Sequence, residues 1–151
     1  AVGQLNLGNM YYNGEGVPQD YKESFKWYTK AAEQGVAVAQ YNLGGMYDDG
    51  KGLPKDDKEA VKWYRKAAEQ GYALAQYNLG WMYHKGEGVP KDLILAYVWF
   101  NIAQANGNEK GWDAGFTNRA KECRDGLKLN AKELAEATAL STEIRKRIEA
   151  N

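Results

Sequence analysis

Apolar positions recur along this chain at helical spacing, in pairs of short runs that return every 36 residues. Between Ala37 and Asp48 the run is Leu43, Met46 and Tyr47; between Asp57 and Gln70 it is Ala60, Trp63, Tyr64, Ala67 and Ala68. Leu7, Leu43 and Leu79 stand 36 positions apart without insertion, inside the phrases LNLGNMYYNGEGVP, YNLGGMYDDGKGLP and YNLGWMYHKGEGVP. A fixed period of this length means stacked units, each burying an apolar face on the next. Polar punctuation divides each unit at G-x-G-[VL]-P-x-D. Gly50 and Gly52 let the chain reverse, Pro54 stiffens the exit, and Asp56 caps the second helix, with Glu59 expected to complete a capping box. Asp20 and Glu23 repeat that device, whereas in the third copy Leu95 replaces the glutamate after Asp92. Gly35, Gly71 and Gly107 are expected to end each second helix. The pattern predicts an all-α fold, a right-handed α-solenoid of antiparallel helix pairs, with units at 1–36, 37–72 and 73–107.

The second helices carry a lysine stripe at Lys22, Lys26 and Lys30, and again at Lys58, Lys62 and Lys66. In the third unit those positions become Ile94, Val98 and Ile102, an apolar stripe that needs a cover. Helices predicted at about 113–126 and 131–150 supply it, so residues 108–151 read as a C-terminal helical cap. Asn130 with Glu133 offers a capping box, and Leu134, Ala137, Ile144 and Ile148 a narrow apolar face. At the other end Val2 and Leu5 have no such cover, and upstream repeats, a partner or a neighbouring molecule is expected there.

The three units, of the form A-x-x-Q-x-N-L-G-x-M-Y-x-x-G-x-G-[VL]-P-x-D followed by W-[YF]-x-x-A and a closing glycine, resemble Sel-one-like repeats, relatives of tetratricopeptide repeats with a longer period. The resemblance covers residues 1 to 107, and the tail, with AYVWFNIAQANGN and LNAKELAEA, is similar to the ending of bacterial members. It implies a protein-binding scaffold or adaptor.

Comparing the copies separates stacking positions from free ones. Gln4, Asn6, Leu7, Gly8, Met10 and Tyr11 are kept in all three; Leu5, Asn9 and Tyr12 vary and share one stripe of the first helix. In the later units that stripe reads Tyr41, Gly45, Asp48 and Tyr77, Trp81, His84. Aromatic side chains dominate binding hot spots, so Tyr12, Tyr41, Asp48, Tyr77, Trp81 and His84 are the candidate partner-binding residues, lining a groove made by the first helices. Tyr41 and Tyr77 have an equal claim as packing residues, while Trp81 answers to Asn9 and Gly45 and so meets no general packing need. His84 reads either as a pH-sensitive contact or as a helix-end histidine without a role. Trp27, Trp63 and Trp99 recur in every unit and read as core; Gly8, Gly44 and Gly80, inside the first helix, predict close helix approach.

Charge changes the picture by exclusion. Twenty basic and twenty acidic residues leave no net charge, which argues against a nucleic-acid surface. No apolar run approaches membrane-spanning length. One cysteine, Cys123, and one histidine provide neither an internal disulfide nor a zinc cluster. Some cysteine-rich members of the family have been proposed to bind or hydrolyse β-lactams; this chain lacks their paired cysteines and has no S-x-x-K. The G-x-G elements precede Pro and Asp and read as turns, and Asp48–Asp49 and Asp56–Asp57 lack calcium-loop spacing. No cofactor, metal or catalytic residue is expected. The functional expectation is a non-catalytic scaffold for a protein or peptide, with a carbohydrate or cell-wall glycan binder and an architectural module of a larger chain as alternatives. The compartment stays open among bacterial cytoplasm, periplasm and exterior.

Overall fold

The computed structural model describes residues 1–109 and 114–150. Its helices are α1 (Val2–Asn13), α2 (Tyr21–Glu33), α3 (Ala37–Asp49), α4 (Asp57–Glu69), α5 (Ala73–Lys85), α6 (Leu93–Glu109), α7 (Ala114–Asp125) and α8 (Ala131–Glu149); no strand occurs among the described residues. The all-α class expected from the period therefore holds. Residue 113, where the first tail helix is predicted to begin, lies outside the described residues. The chain divides into two compact units, Ala1–Ala67 and Ala68–Asn151.

In the first unit α1 pairs with α2, and α3 stacks on α2. Tyr28, Ala31, Ala32, Ala39, Leu43, Met46 and Trp63 form its core. In the second, α5 pairs with α6, and both α7 and α8 pack on α6. Val98 and Ile102, where earlier units carry lysines, are fully buried there. Ala73, Ala103, Phe116 and Ala120 form a core cluster of this unit.

Each hairpin is closed by the same backbone bonds. Gly50, at φ 66°, takes the left-handed conformation that ends α3, and its N–H donates to the Met46 carbonyl. The N–H of the next cap, Asp56, then donates to the Tyr47 carbonyl at 2.9 Å; Asp20 with Tyr11 and Asp92 with Tyr83 repeat it at 2.9 and 3.0 Å. That bond corrects the expected capping boxes. Asp20 Oδ1 accepts from Lys22 and Glu23, and Asp56 Oδ1 from Lys58 and Glu59. The glutamates do not reach back, because the cap N–H is already engaged, and they pair instead with Lys26 and Lys62. Leu95 in the third copy thus forfeits nothing, and its N–H donates to Asp92 at 2.9 Å. The box at α8 forms in full: Glu133 N–H donates to Asn130 Oδ1 at 3.0 Å, and Asn130 N–H to Glu133 Oε2 at 2.9 Å.

The helical glycines mark where the two helices of a hairpin touch. A Cβ on Gly8 would run into the Tyr28 ring, on Gly44 it would lie 2.7 Å from Tyr64, and on Gly80 2.8 Å from Phe100. The kept glutamines join one hairpin to the next: Gln40 Nε2 donates to the Ala32 carbonyl at 3.1 Å and Gln76 Nε2 to that of Ala68 at 2.9 Å. These carbonyls lie in the last helical turn, where each also accepts from the closing glycine, Gly35 or Gly71, at 3.0 Å.

A helix end and a core position need correction. Gly107 does not end α6, which runs to Glu109; a Cβ there would meet Thr117 Cγ2 at 2.9 Å and the Phe116 ring at 3.0 Å. The glycine therefore admits α7 and does not stop the helix. Trp63 and Trp99 are buried, but Trp27 is only half-buried, with Lys30 Nζ 4.5 Å from its ring centre.

Candidate functional site

The varying stripe of the first helices remains partly open to solvent in both units. In the first unit Tyr12 stands edge-on to Tyr21 at 5.3 Å, and Lys51 Nζ donates to its hydroxyl at 2.7 Å. That bond and the ion pair with Asp49 at 3.0 Å hold the Lys51 ammonium above its ordinary range. Tyr28 donates to Asn9 Oδ1 at 2.7 Å, and burial pushes its hydroxyl up to about 12. Tyr41 leans on Tyr64 at 5.9 Å, and the Tyr64 hydroxyl makes a long bond of 3.4 Å to Asp48 Oδ2. Burial, with Asp49 and Asp57 nearby, raises the Asp48 carboxyl, against Lys55 at 3.8 Å and the Tyr64 bond.

In the second unit Tyr77 is more a packing residue than a free one. Its ring meets Phe100 at 5.6 Å and Phe116 at 5.8 Å, and its hydroxyl lies 3.7 Å from Cys123 Sγ. Trp81 is half-buried: one edge packs on Phe100 at 5.9 Å, and Lys85 Nζ sits 5.4 Å from its ring centre. His84 stands edge-on to Trp81 at 5.3 Å, with its Nδ1 closed to solvent and without a partner among the described residues. Partial burial and then the charges of Lys85 and Lys91 depress its pKa, so the ring is neutral at pH 7.

Structure thus gathers Tyr77, Trp81 and His84 into one aromatic run in the second unit, and Tyr12 and the Tyr41–Asp48 pair into the stripe of the first. Sequence reading missed Lys51 and Asn9 as partners of the tyrosine hydroxyls. It also passed over Phe100, although the copies show the signal: Tyr28 and Tyr64 carry a hydroxyl at that position and Phe100 does not. Among the described residues no group of three potential ligands is placed to hold a metal, and no helix is long and apolar enough to cross a membrane.

Helix pairs closed by a G-x-G turn, with glycine at each helix contact and glutamine at each joint between hairpins, define a repeat protein of the tetratricopeptide-like α-solenoid class. The sequence matches the Sel1 repeat family over residues 1–36, 37–72 and 73–108, and the chain belongs to that family. It is similar to a Sel1 repeat protein from Oxalobacter formigenes, at 38% identity and a TM-score of 0.69 over 81% of this chain and 55% of that one. It is also similar to c5321, a protective antigen present in uropathogenic Escherichia coli strains displaying an SLR fold, at 32% identity and a TM-score of 0.61 over 97% of this chain and 38% of that one. Helicobacter pylori cysteine rich protein B is 27% identical, with a TM-score of 0.61 over 72% of this chain and 84% of that one. The chain therefore spans only 55% and 38% of the length of the first two relatives. No curated protein gives a significant match. Proteins of this family are in general non-enzymatic scaffolds that mediate protein interactions.

Proposed function

We propose that this chain is a non-catalytic scaffold that binds a protein or peptide through the varying stripe of its first helices. Trp81 and His84 are the principal contacts, Tyr77 is their support, and Tyr12, Tyr41 and Asp48 form a secondary surface on the first unit. The observation that carries this reading is the change at Phe100. Phe100 has no hydroxyl to donate to the end of α5 as Tyr64 donates to Asp48, and the stripe there presents the indole of Trp81 beside the His84 ring. A half-buried tryptophan on a rigid helix supplies contact area at low ordering cost, and Lys85 and Lys91 give its rim positive charge.

Affinity capture from extracts of the source cell tests it, comparing the natural chain with a Trp81→Ala, His84→Ala variant whose helicity is checked by circular dichroism. Tyr77 is kept, since its rings support Phe100 and Phe116. Loss of a defined protein from the folded variant supports the reading. Equal capture by both overturns it, and release of the bound material by soluble cell-wall glycans would favour a carbohydrate ligand.

A further inference from the structure

In each repeat the fifth residue after the glycine that ends the first helix is polar: Gln19, Lys55 and Lys91. The first two are satisfied within their own repeat. Gln19 Nε2 donates to the Tyr12 carbonyl at 2.8 Å, and Lys55 Nζ lies 3.2 Å from Asp57 Oδ1 and 3.8 Å from Asp48 Oδ1. Lys91 begins from the same place as Lys55, since a Cβ on Gly50 or on Gly86 would meet the backbone nitrogen of its own lysine at 3.2 Å. Its two carboxylates, however, have become His84 and Leu93, and Lys91 makes no ion pair among the described residues. The exchange extends to the neighbours. Asp49, which pairs with Lys51 at 3.0 Å, becomes Lys85, and Lys85 Nζ sits 5.4 Å from the centre of the Trp81 ring. Glu87 replaces Lys51 and pairs with neither lysine, while Asp92 Oδ1 accepts from Leu95 as the cap of α6. Two exposed ammonium groups thus stand beside the half-buried Trp81 and His84 without a carboxylate partner among the described residues.

We propose that the end of α5 takes an Asp or Glu side chain of a protein partner, its carboxylate held by Lys91 and Lys85, with an apolar neighbour of that residue lying on the open part of the Trp81 indole. This rests on the reading of Trp81 and His84 as a contact surface and specifies what they contact. The second repeat shows the arrangement filled from within: there the chain's own Asp48 and Asp57 occupy the matching lysine, and Gly45 leaves no indole beside it. In the third repeat the same lysine is kept, both acids are removed, and a tryptophan is added. The partner's carboxylate takes the part of the missing pair. A lysine ammonium acts as a point charge with rotatable donors, so Asp and Glu both serve. Cover by the indole makes the pair stronger than one open to water on all sides.

Selection of random peptides displayed on phage against the 151-residue chain, followed by titration of the enriched peptides by calorimetry, tests the assignment. The enriched peptides are expected to carry Asp or Glu next to an apolar residue. Changing that acid to its amide in the peptide, or Lys91→Glu in the protein, should each weaken binding roughly tenfold. Leu93→Asp restores the nearer carboxylate of the second repeat and should weaken binding from within, whereas Leu93→Asn, which removes the same leucine without adding charge, should not. Circular dichroism checks that each variant is folded. Peptides that need Trp81 but are indifferent to their own acid, to Lys91→Glu and to Leu93→Asp overturn the proposal and leave the contact surface standing. Equal weakening by Leu93→Asp and Leu93→Asn also overturns it, because the leucine and not the charge is then what matters. Peptides unaffected by Trp81→Ala, or no enrichment over an uncoated support, overturn both the proposal and the reading on which it rests.

Discussion

In the first unit α3 ends against Tyr64, whose hydroxyl donates to Asp48; in the second, α5 ends against Phe100, which has none, and His84 Nδ1 meets no partner among the described residues. Everything beneath these side chains is common to both. Met46 and Met82 accept the bonds of Gly50 and Gly86, Tyr47 and Tyr83 accept from Asp56 and Asp92, and Gly44 and Gly80 admit the facing ring. Gly45 and Asp48 have been replaced on that scaffold by Trp81 and His84. The difference teaches how this repeat separates its tasks: the face that closes the hairpin is held fixed, and the stripe beside it is free to change chemistry.

The largest expected effect tests the shared part. Gly44→Leu and Gly80→Leu each drive carbon into a ring that a Cβ alone would meet at 2.7 or 2.8 Å, and each should cost about 3 kcal/mol in urea unfolding. A large loss at one site and none at the other would break the claim that the two ends share a plan. Next in size, Gln76→Leu leaves the buried Asn106 amide without its partner and removes one of the two bonds to the Ala68 carbonyl, which keeps that from Gly71, at a cost of about 2 kcal/mol in the same measurement.

A smaller effect sharpens the contrast between the stripes. Gly45→Trp places the third repeat's side chain on the second; a Cβ there meets only Tyr64 Oη, at 3.7 Å, an ordinary contact. The variant should fold with stability within about 1 kcal/mol of the natural chain, because loss of a helical glycine offsets any crowding. A loss as large as that of Gly44→Leu would show that position 45 belongs to the packing face.

Much of this was legible in the sequence because the chain carries its own comparison. Three copies in register revealed the hairpins, the helix-contact glycines and the lysine stripe that becomes Ile94, Val98 and Ile102. What was not legible lay in choices among competing partners. Glu59 following Asp56 fits a capping box, but the cap N–H had a nearer acceptor in Tyr47, which no local spacing reveals. Gly107 fits a helix stop, yet its role is set by α7, a tertiary contact. At the stripe, sequence named the side chains but not their burial: Tyr77 is committed to Phe100 and Phe116, while Trp81 remains half open.

The smallest effect is also the one that most directly opposes the two ends. Asp48 titrates above its ordinary 3.8 in the folded chain, so between that raised value and 3.8 the folded state binds more protons than the unfolded state. Stability at this site therefore rises as pH falls through that window. His84 titrates below its ordinary 6.5, so there the unfolded state protonates first, and stability is lost as pH falls from 6.5 through the depressed folded value. Asp48→Asn should thus stabilise the protein at pH 7, with the gain shrinking towards pH 3. His84→Gln should change little at pH 7.5 and protect the protein at pH 5. Unfolding by urea at these pH values reads both signs. If His84→Gln brings no advantage at pH 5, charging His84 carries no cost in the folded chain, and neither its burial nor Lys85 and Lys91 hold it below its ordinary range.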